Sequence, residues 1–230
     1  MKTIAIYIDE PMCSLSCACA VWNLINTQTH HKAFLFGPDS FYKNKKRLYS
    51  FKDADCVIFP GGDGDADQFD DNLYLLKDKI QKWVSKGKKY LGICMGSYFA
   101  GKYYFNLLPG FKVPQYITRK KSDIKTCSPT VINLKWKGEN KDMYFWDGAA
   151  FIPKKETNKK DIDVFAEYKN GDIAAMIYPY GHGSVGVIGP HPEAEKSWFW
   201  DNRRIINQKG WESAMSEHLF LDFLEKLLEK

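Results

Sequence analysis

A chain of 230 residues, 44% of them hydrophobic and 15% aromatic, can bury one large core but not two full ones, so a single domain over 1–230 is expected. Thirty-three Lys and Arg against 28 Asp and Glu leave a net charge of +5. The densest basic clusters, Lys43 to Arg47, Arg119 to Lys125 and Lys154 to Lys160, are separated by apolar segments, which argues against a nucleic-acid partner. No run approaches a membrane span, the apolar start is interrupted at Asp9 too soon for a secretion signal, and six cysteines then read as free thiols, so a cytoplasmic protein without a membrane partner is expected.

In chain order, Thr3 to Ile8 is a β-branched apolar run, and Ser14 to Asn26 places Leu15, Cys19 and Trp22 on successive helical turns. Lys32 to Phe36 is a second strand stopped by Gly37-Pro38, and Cys56 to Phe59 a third stopped by Pro60-Gly61-Gly62. Asn72 to Lys86 carries Leu73, Leu76, Ile80, Trp83 and Val84 at helical spacing, with Gly87 as its C-terminal stop. Lys89 to Ile93 is a fourth strand that runs into Cys94, followed by helical character over Tyr98 to Tyr104. This alternation predicts a parallel sheet covered by helices. From Phe111 onward the texture changes to short strands, at Val131 to Trp136, Met143 to Trp146, Val164 to Tyr168, Ile173 to Tyr178 and Ser184 to Ile188. The turn pairs Lys137-Gly138, Asp147-Gly148 and Asn170-Gly171 predict that this half is mostly antiparallel hairpins. A helix over Ala214 to Glu229 closes the chain.

Two segments carry chemistry. Gly92-Ile93-Cys94-Met95-Gly96 fits a nucleophile elbow, in which the nucleophile sits on a strained strand-to-helix turn and small residues two positions either side avoid collision with neighbouring backbone. A helix starting just after Cys94 would favour its thiolate, the Met95 amide would face a developing oxyanion, and the Gly61-Gly62 loop would supply a second amide. His191-Pro192-Glu193 is the partner segment: residues two apart in an extended strand point the same way, which sets a carboxylate beside an imidazole base. Cys94, His191 and Glu193 are therefore the catalytic candidates.

Phe59-Pro60-Gly61-Gly62, Gly92-Ile93-Cys94-Met95-Gly96-Ser97-Tyr98 and Gly189-Pro190-His191-Pro192-Glu193 together resemble the motifs of class I glutamine amidotransferase-like proteins. The likeness extends to the branch known as the biotin-protein ligase N-terminal domain family, whose elbow reads Cys-small-Gly-small-Tyr and whose aromatic-rich segment is similar to Tyr144 to Phe151. It covers about residues 1–200 and leaves 201–230 as a helical extension. It implies a flavodoxin-like, three-layer α/β sandwich with a mainly parallel central sheet and antiparallel additions in the C-terminal half. It also implies a Cys-His-Glu triad acting on a small amide or acyl substrate, with Tyr98 in the substrate pocket and a partner synthetase where ammonia is passed on. Tyr98 stands where glutaminases of this superfamily carry Gln, so the resemblance does not extend to glutamine as substrate. The sequence also lacks the Gly-Arg-Gly-Arg type loop of biotin attachment.

Two other functional classes compete: a non-catalytic binding module of the same fold, and a thiol redox or stress protein using Cys94. Asp63, Asp65 and Asp67 resemble the start of a calcium loop but lack its glycine and its closing glutamate. Cys13, Cys17 and Cys19 lack the spacing of a zinc knuckle, and Cys17 and Cys19 cannot share one helix face, so no metal and no cofactor is expected. Glu10 and Cys13, just after the first strand, are secondary site candidates. His182 in Tyr180-Gly181-His182-Gly183 reads as a hairpin turn.

Overall fold

The computed structural model describes residues 1–38, 51–64, 71–200, 202, 205 and 211–230. Lys43 to Arg47, Asp65 and Asp67 lie outside the described residues. Five strands form the parallel part of one sheet: β1 (Thr3–Tyr7), β2 (Lys32–Phe36), β3 (Cys56–Phe59), β4 (Lys89–Ile93) and, from far along the chain, β11 (Gly183–Ile188). The sheet then continues antiparallel through β10 (Ile173–Tyr180), β9 (Asp163–Glu167), β6 (Thr130–Trp136) and β7 (Glu139–Phe145). Its nine strands run in the order β2-β1-β3-β4-β11-β10-β9-β6-β7, and β5 (Phe111–Lys112) with β8 (Ile152–Pro153) form a separate ladder.

Strands buried on both faces read as continuous apolar runs, and all residues of β3, β4 and β11 are buried. Helix α1 (Leu15–Gln28) starts at Ser14, whose Oγ accepts from the Cys17 amide at 3.2 Å, and packs Ala18, Val21, Leu24 and Ile25 on one face of the sheet. The same face receives Leu219, Phe220, Phe223, Leu224 and Leu227 of a C-terminal helix over Glu217–Glu229. On the opposite face lie Leu73, Leu76, Ile80 and Val84 of α2 (Asp71–Ser85), which Gly87 ends with φ 107°. Two apolar layers on one sheet make the three-layer α/β sandwich.

Two expectations need correction. Gly183–Ile188 forms the expected antiparallel hairpin with β10 but has a second, unexpected partner: it pairs parallel with β4 on its other side. Gly186 permits this central place, since a Cβ there would meet Phe223 at 2.8 Å. The helical character over Tyr98 to Tyr104 is also not realised. Helix α3 (Met95–Phe99) stops after five residues, and the chain turns so that Phe99 and Phe105 join Phe59 and Tyr90 in one aromatic cluster. Burying Phe105 in that cluster outweighs adding helical hydrogen bonds.

Candidate active site

The cleft opens at the carboxyl ends of the parallel strands, beside the point where β1 has β2 on one side and β3 on the other. Cys94 follows β4 with φ 49° and ψ −107°, a conformation that costs a non-glycine residue on the order of 1–3 kcal/mol. Its amide is held by the Ile188 carbonyl at 2.9 Å. The flanking glycines are required by contact: a Cβ on Gly92 would lie 2.3 Å from the Gly96 carbonyl oxygen, and one on Gly96 would lie 1.8 Å from that of Phe59.

His191 follows β11, and its amide donates to the Tyr144 carbonyl at 2.9 Å, which ties this loop to β7. The His191 Nδ1 to Glu193 Oε1 distance is 2.9 Å, with His191 3% and Glu193 0% exposed. A donor Nδ1–H in that contact leaves Nε2 for Cys94. Tyr144 and Trp198 present their rings edge-on to the imidazole at 5.8 and 5.5 Å. Burial by itself pushes the His191 pKa down, but the charges of Cys94 and Glu193 and hydrogen bonds to both outweigh it and hold the imidazole well above 6.5. Glu193 Oε2 is buried and has no hydrogen-bond partner among the described residues.

Gly61 lies over this group: a Cβ on it would be 2.5 Å from His191 Cε1, 3.2 Å from Cys17 Sγ and 3.4 Å from Cys94 Cβ. Gly62 is packed on the Met12 carbonyl, where a Cβ would sit 2.2 Å from the oxygen. Among the described residues the amides of Gly61, Gly62 and Met95 donate to no acceptor. The five-residue α3 carries a far smaller dipole than the helix expected after Cys94, so the peptide groups nearest the sulfur outweigh any macrodipole. The Cys94 thiol donates to the Trp146 carbonyl at 3.5 Å, and the Tyr98 hydroxyl to the Asp147 carbonyl at 3.0 Å.

These groups border an open cleft of about 1150 Å³, lined by Glu10, Gly62, Cys94, Met95, Tyr98 and His191 among others. Glu10 sits at its rim, where Oε1 accepts from the Leu15 amide at 2.6 Å and caps α1. Cys13 does not line the cleft; its sulfur faces the Pro60 carbonyl at 3.8 Å within the opposite apolar layer. The thiol that does share the cleft with Cys94 is Cys17, one helical turn into α1. Its pKa is raised well above 9.0, first by burial and then by the charge of Glu193. Sequence spacing sets Cys17 aside as a metal ligand and does not place it at the site, because its neighbours in space are remote in sequence. Trp146, Asp147, Cys127 and Trp198 also line it. Asp147, expected in a hairpin turn, instead leaves β7 with φ 49° and runs along the cleft wall, where burial raises its pKa.

Residues 51–108 match the family described as Biotin-protein ligase, N terminal. A biotin–protein ligase of Schizosaccharomyces pombe is 28% identical over an alignment of 175 residues that covers 64% of this chain and 27% of the yeast protein, so this chain corresponds to a minor part of that relative. Among solved structures, an exo-β-1,4-mannosidase from an Opitutaceae bacterium superposes with a TM-score of 0.53 at 11% identity, covering 95% of this chain and 36% of that one. A cytoplasmic protein from Salmonella typhimurium superposes with a TM-score of 0.51 at 12% identity, covering 96% and 98% of the two chains. Likeness at that identity speaks for the fold alone. By these sequence matches, the first of which includes Cys94, the chain is similar to the biotin-protein ligase N-terminal family.

Proposed function

We propose that this chain, as one domain, is a cysteine-dependent hydrolase of amidotransferase type that acts on a small amide or acyl compound. The observation that carries the reading is the backbone of Cys94: a non-glycine residue at φ 49° between two glycines that admit no Cβ. Strain of this kind persists only where the surrounding structure imposes it, and it clusters at reactive residues. In the reaction, His191 takes the Cys94 proton and the sulfur attacks the carbonyl carbon. The amides of Met95 and Gly61 or Gly62 receive the oxyanion, and His191 returns the proton to the leaving amine or alkoxide. Water, activated by the same imidazole, then cleaves the thioester, while Glu193 holds the Nδ1–H. In a transfer version an amine takes the acyl group in place of water, or the ammonia released in the first step passes to a partner synthetase while water still cleaves the thioester.

Six free thiols and no helix among the described residues long and apolar enough to cross a membrane support a reducing, cytoplasmic setting with no membrane partner. One observation favours the binding-module alternative: the Cys94 thiol is directed at the Trp146 carbonyl. Intact-mass spectrometry after incubation with a panel of activated esters and primary amides separates the two. A hydrolase gives an acyl adduct on the wild type, absent in Cys94→Ala, together with turnover. Ligand-dependent thermal stabilisation without any adduct would replace the hydrolase with a binding module, and a +16 or +32 Da species formed only with peroxide would replace it with a thiol redox protein.

A further inference from the structure

Cys17, His191 and Glu193 are all buried, and their donor atoms lie within 4.8 Å of one another. They come from two segments remote in sequence: Cys17 from the first turn of α1, and His191 and Glu193 from the loop after β11. Zinc-knuckle spacing is absent from the sequence, yet the fold assembles one sulfur, one imidazole nitrogen and one carboxylate around a common point.

We propose that Cys17, His191 and Glu193 form a binding site for a divalent cation of the zinc class. The donor set suits such an ion: thiolate and imidazole select against magnesium and calcium, and sulfur, nitrogen and oxygen ligands are those of tetrahedral zinc. A second observation points the same way. Glu193 Oε2 is fully buried and unpartnered, which costs free energy unless something in the site completes it. An ion has a way in, because Cys17 and His191 both line the open cleft. Zn–S and Zn–N bonds of about 2.3 and 2.0 Å need the donors to close by roughly 1 Å, a side-chain movement. The fourth position would take water from the cleft. Binding displaces the thiol proton of Cys17 and moves the His191 Nδ1 proton to Nε2, so one proton leaves for each ion taken up by the neutral imidazole. The site does not depend on Cys94 being a nucleophile, although an ion on the imidazole would remove it as a base.

The test is a Co²⁺ titration of chelator-treated, reduced protein in a Cys127→Ser background, which removes the exposed cleft thiol. The expected result is one equivalent bound, with a near-ultraviolet sulfur-to-cobalt absorption. Cys17→Ser should abolish that absorption and weaken binding by more than the roughly 10- to 100-fold that loss of an outer-shell partner costs. Cys94→Ser should keep the absorption. No thiolate band, or a band that survives Cys17→Ser or vanishes in Cys94→Ser, overturns the proposal. If circular dichroism shows that Cys17→Ser does not fold, the same question is asked of the parent protein: Zn²⁺ should slow modification of Cys17 by methyl methanethiosulfonate, read peptide by peptide, while leaving Cys19 unaffected. Equal rates with and without Zn²⁺ would also overturn it.

Discussion

The parallel and antiparallel parts of the sheet contribute to the cleft in different ways. From the parallel part come Gly61, Cys94 and His191, each in the first residues after a strand whose neighbours are fixed by hydrogen bonds. The antiparallel part is an extension that carries β7, the edge strand furthest from β4, back to the loop after β11 through the Tyr144–His191 bridge. It supplies walls: Tyr144 against the imidazole, the Trp146 carbonyl against the thiol, and Asp147 beside Tyr98. The catalytic candidates thus follow strands of the parallel part, while the antiparallel part lines the cleft around them.

The glycines of the two parts break this comparison most sharply. Gly96→Ala pushes a methyl group onto the Phe59 carbonyl oxygen at 1.8 Å, and backbone cannot move aside without disturbing β3. We expect a loss of about 4 kcal/mol or failure to fold, measured by urea unfolding. Gly138 and Gly171, in the hairpin turns at φ 87° and 84°, have nothing within 4 Å of an added Cβ. Alanine there should cost only about 1–2 kcal/mol, the price of a left-handed conformation. Similar losses in the two classes would mean that close approach at the elbow is not what demands glycine.

His191 gives the next largest effect, and its sign can be worked out. A histidine held above its unfolded value of 6.5 binds its proton more tightly in the folded chain. Its contribution to stability is therefore complete below about 6.5 and is lost as pH rises through the folded value, with a slope of at most about 1.4 kcal/mol per pH unit. Glu193→Gln removes one of the charges that raise it. The His191 imidazole resonances should then titrate at lower pH than in the wild type, and the pH window of that stability contribution should narrow. An unchanged His191 midpoint in Glu193→Gln would show that the carboxylate does not govern the imidazole.

At Cys94 itself, both Cys94→Ala and Cys94→Gly remove the thiol, so their difference isolates the backbone. Glycine is normally less stable than alanine by about 0.5–1 kcal/mol. At φ 49° and ψ −107° that order should reverse, with Cys94→Gly the more stable of the two by about 1 kcal/mol in chemical denaturation. Alanine proving more stable would remove the strain argument on which the hydrolase reading rests.

How far the sequence carried these conclusions differs between the same two parts. Cys56–Phe59 and Lys89–Ile93 keep the limits read from the sequence because every residue in them is buried, whereas Lys32–Phe36, a half-buried edge strand, keeps its end because Gly37-Pro38 stops it. In the antiparallel part the strands run longer than their apolar residues suggest; β7 starts at Glu139, four residues before Met143, because its polar positions pair with β6 and face solvent. The motif residues Gly61, Cys94, His191 and Glu193 were readable because each carries its reason within a few neighbours. Cys17 and Trp146 were not, since what makes them cleft residues is contact with segments remote in sequence, and no local pattern encodes that. The end of α3 was also illegible: helical spacing continues past Phe99, and only the aromatic cluster on the far side of the sheet explains why the chain turns.

The smallest effect concerns a side-chain hydrogen bond that ties α3 to the wall formed after β7. Tyr98 donates to the Asp147 carbonyl at 3.0 Å, and burial, with the charge of Asp147 next, raises its pKa well above 10.0, so the hydroxyl stays a donor at any working pH. Tyr98→Phe should cost about 1 kcal/mol in unfolding free energy, the ordinary worth of such a bond. Loosening the wall also frees the Trp146 carbonyl, on the residue before Asp147, to drift from the Cys94 thiol it accepts from. In the hydrolase reading the thiol then turns more readily to His191, and alkylation of Cys94 by iodoacetamide in the Cys127→Ser background should become a few-fold faster while Cys19 is unchanged. If Tyr98→Phe lowers stability but leaves Cys94 reactivity where it was, the tyrosine is a strut between the two parts of the molecule and takes no part in setting the nucleophile.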